Sequence, residues 1–523
     1  MANAQTGRAS GAGFGPARLW TVAFVAALVL YVATLAPDLD WQDGGEFQWA
    51  VGRLTLWPEL DSSWCIPHHA VRVHPWFLVT ARALWWPRLW DYAYAANLCS
   101  AISMAFASAN VVLLVDLMTR RRWAAVVAGL SFAVGHTIWT FAVMAEVLGW
   151  TAAFLSAECL CAWAWASHRQ ARWLLLLLFL NGVALSNHLM AAISLAVFGV
   201  WILAEIIRRR APWWVLPAGG GLWLAGGTLY WIVVALEYVR TADIGATVRS
   251  ATVSTFAGAV ANVSDIPALL GDSLLYIGLN YPTPLVLAGL GGAWVLWRRR
   301  DGFSRVLLVL ALVYFLWAAR YKVLDQFSFF VPFYALASVM IGIGAEAIVR
   351  SRGVWSRWAL VALALVPIVV YAALPEVVRR AGFVFFRREL PYRDPYTYFL
   401  RPWKCGDDSA RRFAEETLAA LPLGAVLMPA HTPAMPLRCV HDLEGMRPDV
   451  VLVDAYGVLL DPSTGRYWYG DENLLPELYE AGRRAFVVSA HSRYNPKWVT
   501  KFCRLEPFGL IFEVKPRAPG ENS

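Results

Sequence analysis

The sequence predicts an α-helical polytopic membrane protein of about eleven transmembrane helices, with a soluble α/β domain at its C-terminus. Three observations predict it. Of 523 residues, 59% are hydrophobic and only 16% are charged, where a soluble domain carries roughly a quarter charged residues. Arginine clusters recur at 8 and 18, 120–122, 169 and 172, 208–210, 298–300, and 350, 352 and 357. Two apolar segments fit between each neighbouring pair of clusters, which is the positive-inside pattern. Beyond about residue 376 the apolar runs shorten to strand length and charges rise.

The elements follow in chain order. Residues 1–18 are Ala/Gly-rich and read as a disordered cytoplasmic N-terminus. Residues 19–375 form the transmembrane domain. Its first run, 19–36, has the length of a span, and Pro37-Asp38 follows with no small-residue cleavage site. It therefore reads as a retained helix, not a cleaved signal. Further spans are expected at 93–117, 124–142, 147–166, 173–187, 189–207, 213–236, 281–297, 304–320, 328–349 and 357–374. An odd number of crossings places the C-terminus outside. The long first outer loop, 37–92, contains two apolar stretches, 47–56 and 76–86, too short to span and expected along the interface. A second outer loop, 238–280, has another near 266–277. In the outer domain, 376–523, helices are expected at 410–421, 434–443 and 473–482. Strands are expected at 425–428, 449–454, 485–489 and 510–514. The alternation suggests a mostly parallel sheet.

The net charge of +8 does not point to nucleic acid, because the arginines sit between apolar runs. They read as topology signals and lipid-headgroup contacts. The 28 tryptophans suit the membrane interface, and tryptophan also stacks on sugar rings. Of seven cysteines, Cys99, Cys159 and Cys161 fall in spans. Cys65, Cys405, Cys439 and Cys503 face outside, where disulfides form; all three pairings stay open. Walker A, strand-linked GxGxxG, HExxH and GxSxG patterns are absent from the sequence, so no ATPase, dinucleotide, zincin or hydrolase signature is present.

The carboxylates gather on the side opposite the arginines: Asp38, Asp40, Asp43, Glu46, Glu146, Asp265 and Asp325. Four of them lie in Asp38-Leu39-Asp40-Trp41-Gln42-Asp43-Gly44-Gly45-Glu46. Such a cluster repels itself unless a cation or proton is shared. A helix starting at Gly44 or Gly45 would let Asp43 cap it and set Glu46 on the same side. Asp43 and Glu46 are candidates for the general base of an acceptor hydroxyl, or, with Asp40, for ligands of a divalent metal such as Mg or Mn; the plain alternative is an N-cap in a solvated acidic loop. His68, His69 and His74 match no strong zinc spacing; His74-Pro75 opens the second interfacial stretch. Glu146, Asn187 and His188 sit at outer span ends, as ligand contacts or as caps. Arg320-Tyr321-Lys322-Val323-Leu324-Asp325 puts cations on the outer face, suited to a phosphate or to headgroup anchoring.

At these residues the chain resembles the GT-C superfamily of polytopic glycosyltransferases, and within it bacterial members of the protein O-mannosyltransferase-like membrane family. The resemblance is carried by Thr34-Leu35-Ala36-Pro37 running into Asp43-Gly44-Gly45-Glu46-Phe47, by Ala145-Glu146-Val147, by Leu185-Ser186-Asn187-His188-Leu189, and by Tyr321 through Asp325 to Phe330-Val331-Pro332. In the outer domain, Leu421-Pro422-Leu423-Gly424-Ala425-Val426 and the stretch from Leu443 through Gly445-Met446-Arg447-Pro448 to Val450 match too. The resemblance implies a polyprenyl-phosphate-sugar donor, inversion, and a protein or cell-envelope glycan acceptor. Asp43 would be catalytic with Glu46 beside it. His74, Glu146, Asn187, His188, Arg320, Tyr321, Lys322 and Asp325 would bind substrate. It implies a bacterial cytoplasmic membrane, with the α/β domain periplasmic or extracellular. Gly44 replaces the family's usual Ser, and His74-Pro75-Trp76 replaces a longer His-Pro-Pro-Gly-Tyr-Pro run, which leaves the substrate open. The rival readings are a lipid-linked glycan transporter or flippase, which needs ionisable residues deep in the spans, and a non-catalytic membrane assembly protein.

Overall fold

The computed structural model describes residues 15–53, 70–253, 257–260, 262–384, 389–453, 458–461, 466–469 and 474–517. Cys65, His68 and His69 lie outside the described residues, as does the N-terminal stretch before residue 15.

The helical domain opens with α1 (Pro16–Ala33), whose proline occupies a first-turn position that needs no amide. The first outer loop folds into α2 (Gln42–Gly52) and α3 (Pro75–Trp85), close to the two short stretches expected there. Next comes α4 (Tyr92–Thr119), capped by Asp91, which accepts from the Tyr94 amide at 2.7 Å. It is the buried axis of the bundle and packs against α1 and α7. Then follow α5 (Arg122–Ala133), α6 (His136–Ala142), α7 (Leu148–His168), α8 (Arg172–Asn187), α9 (Ala191–Ile207), α10 (Val215–Gly226), α11 (Thr228–Thr241), α12 (Ile244–Thr252), α13 (Ala257–Val260), α14 (Ile266–Asn280), α15 (Leu285–Arg299), α16 (Gly302–Arg320), α17 (Val331–Arg352) and α18 (Ser356–Arg380).

All eleven expected spans are helical. Among the described residues, five helices are long and apolar enough to cross a membrane by themselves, or eight when the bent pairs α5–α6, α10–α11 and α14–α15 each count once. The bends have local causes. Gly227 separates α10 from α11, and Pro282 and Pro284 break α14 from α15 by 108°. α8 and α9 have only 16 and 17 residues, and α7 is diluted by Glu158 and its tryptophans. Without a hydrophobic drive between helices in lipid, close backbone approach holds such bundles. α15 meets α17 so closely that a Cβ on Gly344 would lie 1.8 Å from the Ala288 carbonyl oxygen.

The C-terminal domain contains α19 (Pro395–Leu400), α20 (Ser409–Ala420), β1 (Val426–Met428), α21 (His431–Arg438), β2 (Val451–Leu452), β3 (Val458–Asp461), β4 (Arg466–Tyr469), α22 (Leu474–Glu480), β5 (Ala485–Val487), α23 (Lys497–Phe502), β6 (Cys503–Phe508) and β7 (Ile511–Pro516). The main sheet has the order β2-β1-β5-β7-β6. Its first three strands are parallel, as expected, but β7 and β6 join antiparallel. β6 escapes a sequence reading because Pro507 interrupts its pattern; proline is tolerated there because β6 is an edge strand. Cys405, Cys439 and Cys503 are free thiols, so none of the pairings among them forms.

This domain docks on the first outer loop. Trp41 Nε1 donates to Ser409 Oγ at 2.9 Å, and Trp49 Nε1 to Asp442 Oδ2 at 3.1 Å. Arg411 reaches Asp38 at 2.5 Å and Glu444 at 2.9 and 3.0 Å. Tyr92 OH donates to Glu444 at 2.8 Å. Trp41, Trp49, Phe77, Phe413, Leu437 and Phe486 share one buried core, so loop and domain are packed as a unit. Gly45 is a point of close approach: a Cβ there would lie 2.5 Å from the Asp40 carbonyl oxygen and 2.7 Å from Met435 Cβ. Gly45→Ala should therefore cost about 1–3 kcal/mol by overpacking. Thermal unfolding in detergent checks this against Gly271→Ala, where a Cβ meets nothing within 4 Å; equal melting of the two variants would refute the packing argument.

Candidate active site

The site is built from the turn before α2. The Asp40 amide donates to Gln48 Oε1 at 2.8 Å. Gln48 Nε2 contacts the Asp38 carbonyl at 3.1 Å, Asp40 Oδ2 at 3.2 Å and Asn97 Oδ1 at 3.0 Å. Asn97, on α4, returns its amide to the carbonyls of Ala36 and Asp38 at 3.1 and 3.0 Å. The chain then enters α2 at Gln42, not at Gly44 or Gly45. Asp43 is thus in the first helical turn and is not the cap; Trp41 holds that position with no side-chain cap bond. A carboxylate in a first turn is favoured by the helix dipole.

Asp40 is 5% exposed, and its Oδ2 also accepts from the Ala145 amide at 2.9 Å. Burial pushes its carboxyl up to about 8, with that amide pulling the other way. Asp40 joins the first outer loop to the α6–α7 turn. It lies outside the acidic group that forms at the surface, which comprises Asp43, Glu46 and His431. One ligand atom from each of these three lies within 4.8 Å of the others, and His431 Nε2 is 3.3 Å from Asp43 Oδ1.

The sequence reading missed His431. It is the first residue of α21, supplied by the C-terminal domain from just beyond the C-terminal end of β1. That end of a parallel sheet is where α/β domains present functional groups, and this was the available signal.

Glu146 occupies the α6–α7 turn. Its amide donates to Ser100 Oγ at 2.8 Å, and its Oε1 accepts from the Val147 amide at 2.8 Å. Burial, then the negative fields of Asp43 and, more weakly, Asp325 and Asp40, hold its carboxyl well above the usual range. Asp43, Glu146 and Asp325 therefore belong to one electrostatic environment. Asn187 is buried and tied to the Val147 carbonyl at 2.9 Å and Thr151 Oγ1 at 3.1 Å. Its own carbonyl accepts from His74 Nδ1 at 2.7 Å. The His74 ring stacks on His188 at 5.1 Å and meets the edge of Phe47, on α2, at 5.7 Å. The Met190 amide donates to His188 Nδ1, and burial, then His74, push the His188 imidazole down to about 3. Tyr321 stacks on Trp317 and meets Phe329, which contacts His188. The sequence motifs at 74, 187–188 and 321 thus converge on one aromatic wall beside α2.

Arg320 and Lys322 are already partnered. Arg320 Nη2 donates to the Val260 carbonyl at 2.7 Å, and Lys322 pairs with Asp265. Glu158 lies away from the acidic face: it sits within α7, buried, taking a bond from Asn181 Nδ2 at 3.0 Å.

Together these features define the GT-C class of membrane fold, a helical bundle with an acidic first outer loop and a small C-terminal sheet domain. Residues 66–210 match the family model of the Protein O-mannosyl-transferase TMEM260 N-terminal domain. No match to this sequence is found among curated proteins. The structure is similar to ArnT from Cupriavidus metallidurans in the apo state: TM-score 0.59, 13% identity, covering 96% of this chain and 98% of that one. It is also similar to the same protein bound to undecaprenyl phosphate, with TM-score 0.56, 14% identity and coverage of 95% and 97%. The fold and the family match are those the sequence resemblance implied.

Asp40 makes a pH prediction. Its folded-state carboxyl is raised from 3.8 to about 8, so the folded protein retains a proton that the unfolded chain releases. That contribution is full below about pH 4 and is lost as pH rises through about 8. Asp40→Asn mimics the protonated form. Between pH 6 and pH 9, melting temperature should fall further for the wild type than for Asp40→Asn; parallel profiles would refute the buried-proton reading.

Proposed function

We propose that the protein is a membrane glycosyltransferase that moves a sugar from a polyprenyl-phosphate donor to a hydroxyl of a protein or cell-envelope glycan at the acidic face of the membrane. The observation that carries this reading is the convergence of Asp43, Glu46 and His431 on the first outer loop of an ArnT-like fold. The match of residues 66–210 to an O-mannosyl-transferase domain supports it, as does the undecaprenyl phosphate bound by the structurally similar ArnT.

In this reading Asp43 takes the proton of the acceptor hydroxyl. The acceptor oxygen bonds to the anomeric carbon as the bond to the lipid phosphate oxygen breaks, with inversion, and the polyprenyl phosphate leaves. His431 orients Asp43. Asp43, Glu46 and His431 also have the chemistry to hold a divalent ion such as Mg or Mn, which would supply positive charge for a phosphate oxygen. The wall of His74, His188 and Tyr321 packs against the sugar. Glu146 and Asp325 contact its hydroxyls. Arg320 and Lys322 receive the phosphate.

Transfer by the purified protein from a panel of polyprenyl-phosphate sugars, with an envelope extract as acceptor, tests this. Asp43→Asn should lower kcat/KM by about 10²–10⁴-fold, the usual value of a general base. Glu46→Gln and His431→Gln should each cost about tenfold or more if they hold or orient Asp43. Chelation followed by Mg or Mn addition separates the metal role from the base role. Wild-type rates in folded Asp43→Asn would sink the proposal.

A further inference from the structure

A second built feature lies at the basic end of the bundle, away from Asp43. A cleft of about 270 Å³ opens between the ends of α4, α7 and α9 and the α15–α16 turn. Arg169, Arg210 and Arg299 line it together with Trp201. Its two carboxylates are committed to holding the walls. Glu205, 2% exposed, takes Arg169 at 2.6 Å on one oxygen and faces Arg210 at 3.5 Å and Arg208 at 3.8 Å with the other. Asp301 caps α16, accepting from the Ser304 amide at 2.8 Å and its hydroxyl at 2.7 Å. Three arginines on one carboxylate leave an excess of positive charge. Arg299 adds to it, with no hydrogen-bond or ionic partner among the described residues.

Two kinds of donor are left over. Trp201 is 7% exposed, and its indole Nε1 is buried without an acceptor. It faces the first turn of α16, where a Cβ on Gly302 would lie 3.3 Å away. The amides of Gly302 and Phe303 in that turn have no carbonyl four residues back within the helix. A helix N-terminus, an unpartnered indole N–H and an unpaired guanidinium around one cleft need an anion with several acceptor oxygens. The cleft is also lined by Leu117 and Trp163, which suits an occupant that is apolar on one side.

We propose that this cleft binds a phosphate-bearing anion, supplied by the headgroup of an anionic membrane lipid. Its place among the arginine clusters sets it at headgroup level on the positive side of the membrane. The site is separate from the transfer chemistry at Asp43, and the proposal stands whether or not that reading holds.

The test uses the full-length protein, delipidated in detergent. Native mass spectrometry and thermal shift would be recorded with phosphatidylglycerol, with phosphatidylcholine, and with inorganic phosphate. Phosphatidylglycerol should be retained and raise the melting temperature, and phosphatidylcholine should not. Arg299→Glu and Trp201→Phe should each weaken phosphatidylglycerol binding by about tenfold, in line with the loss of a charge-assisted hydrogen bond. Arg300→Glu, equal in charge change but outside the cleft lining, should leave it intact. Inorganic phosphate binding with the same sensitivity to Arg299→Glu would keep the anion site and assign it a soluble source. Equal loss in Arg299→Glu and Arg300→Glu, or equal retention of both lipids, would overturn the site in favour of diffuse surface charge.

Discussion

One buried side-chain amide organises the acidic face. Gln48 binds the backbone and carboxyl of Asp40 and the side chain of Asn97, and Asp40 binds the Ala145 amide. Three separate stretches, the first outer loop, α4 and the α6–α7 turn, are thereby held in one polar knot. A buried amide left unpaired costs about 1–3 kcal/mol, so each member enforces the others. Asp43 is three residues beyond one end of the knot and Glu146 is one residue beyond another. Their shared electrostatic environment follows from the knot, not from any direct bond between them.

The knot sets where α2 begins, and α2 sets where the C-terminal domain can sit. Trp41 and Trp49, on one side of the turn and helix, bury their rings and give their N–H groups to Ser409 and Asp442. Gly45 lets α21 approach until Met435 touches the backbone. With α21 fixed this way, His431 has to face Asp43. The C-terminal domain is therefore part of the site, and the acid cluster is incomplete without it.

The fold was legible in the sequence because its signals are large and additive. Eleven apolar runs and six arginine clusters survive an error in any one of them. The acidic motif at 38–46 was legible too, since four carboxylates in nine residues are rare. Their division of labour was not. Asp40 and Asp43 look alike in sequence and differ only because Gln48 and Ala145 enclose one of them. His431 was harder to read: it lies 388 positions from its partner, and its place just after a parallel strand marks it as a candidate without naming Asp43 as what it meets. Glu158 escaped because a lone carboxylate within an apolar run belongs to no motif, although burial makes it chemically distinct.

The outer cations show how the proposed reaction and the fold constrain each other. A lipid phosphate approaching Asp43, Glu46 and Asp325 meets negative charge, and Coulomb repulsion at contact distance is about 4 kcal/mol per pair near a protein surface. Something positive has to offset it. Lys322 is held by Asp265, but both side chains are more than half exposed, and such surface pairs contribute only about 0–1 kcal/mol. The donor's phosphodiester carries one negative charge, as Asp265 does, so it can take the place of Asp265 at little cost. Arg320 is different, because releasing it leaves the Val260 carbonyl without that donor. On the proposed reading Lys322 is the mobile contact and Arg320 the fixed one. The remaining repulsion falls on the group formed by Asp43, Glu46 and His431, where a shared proton or a divalent ion, if held there, would lower the net negative charge the phosphate meets.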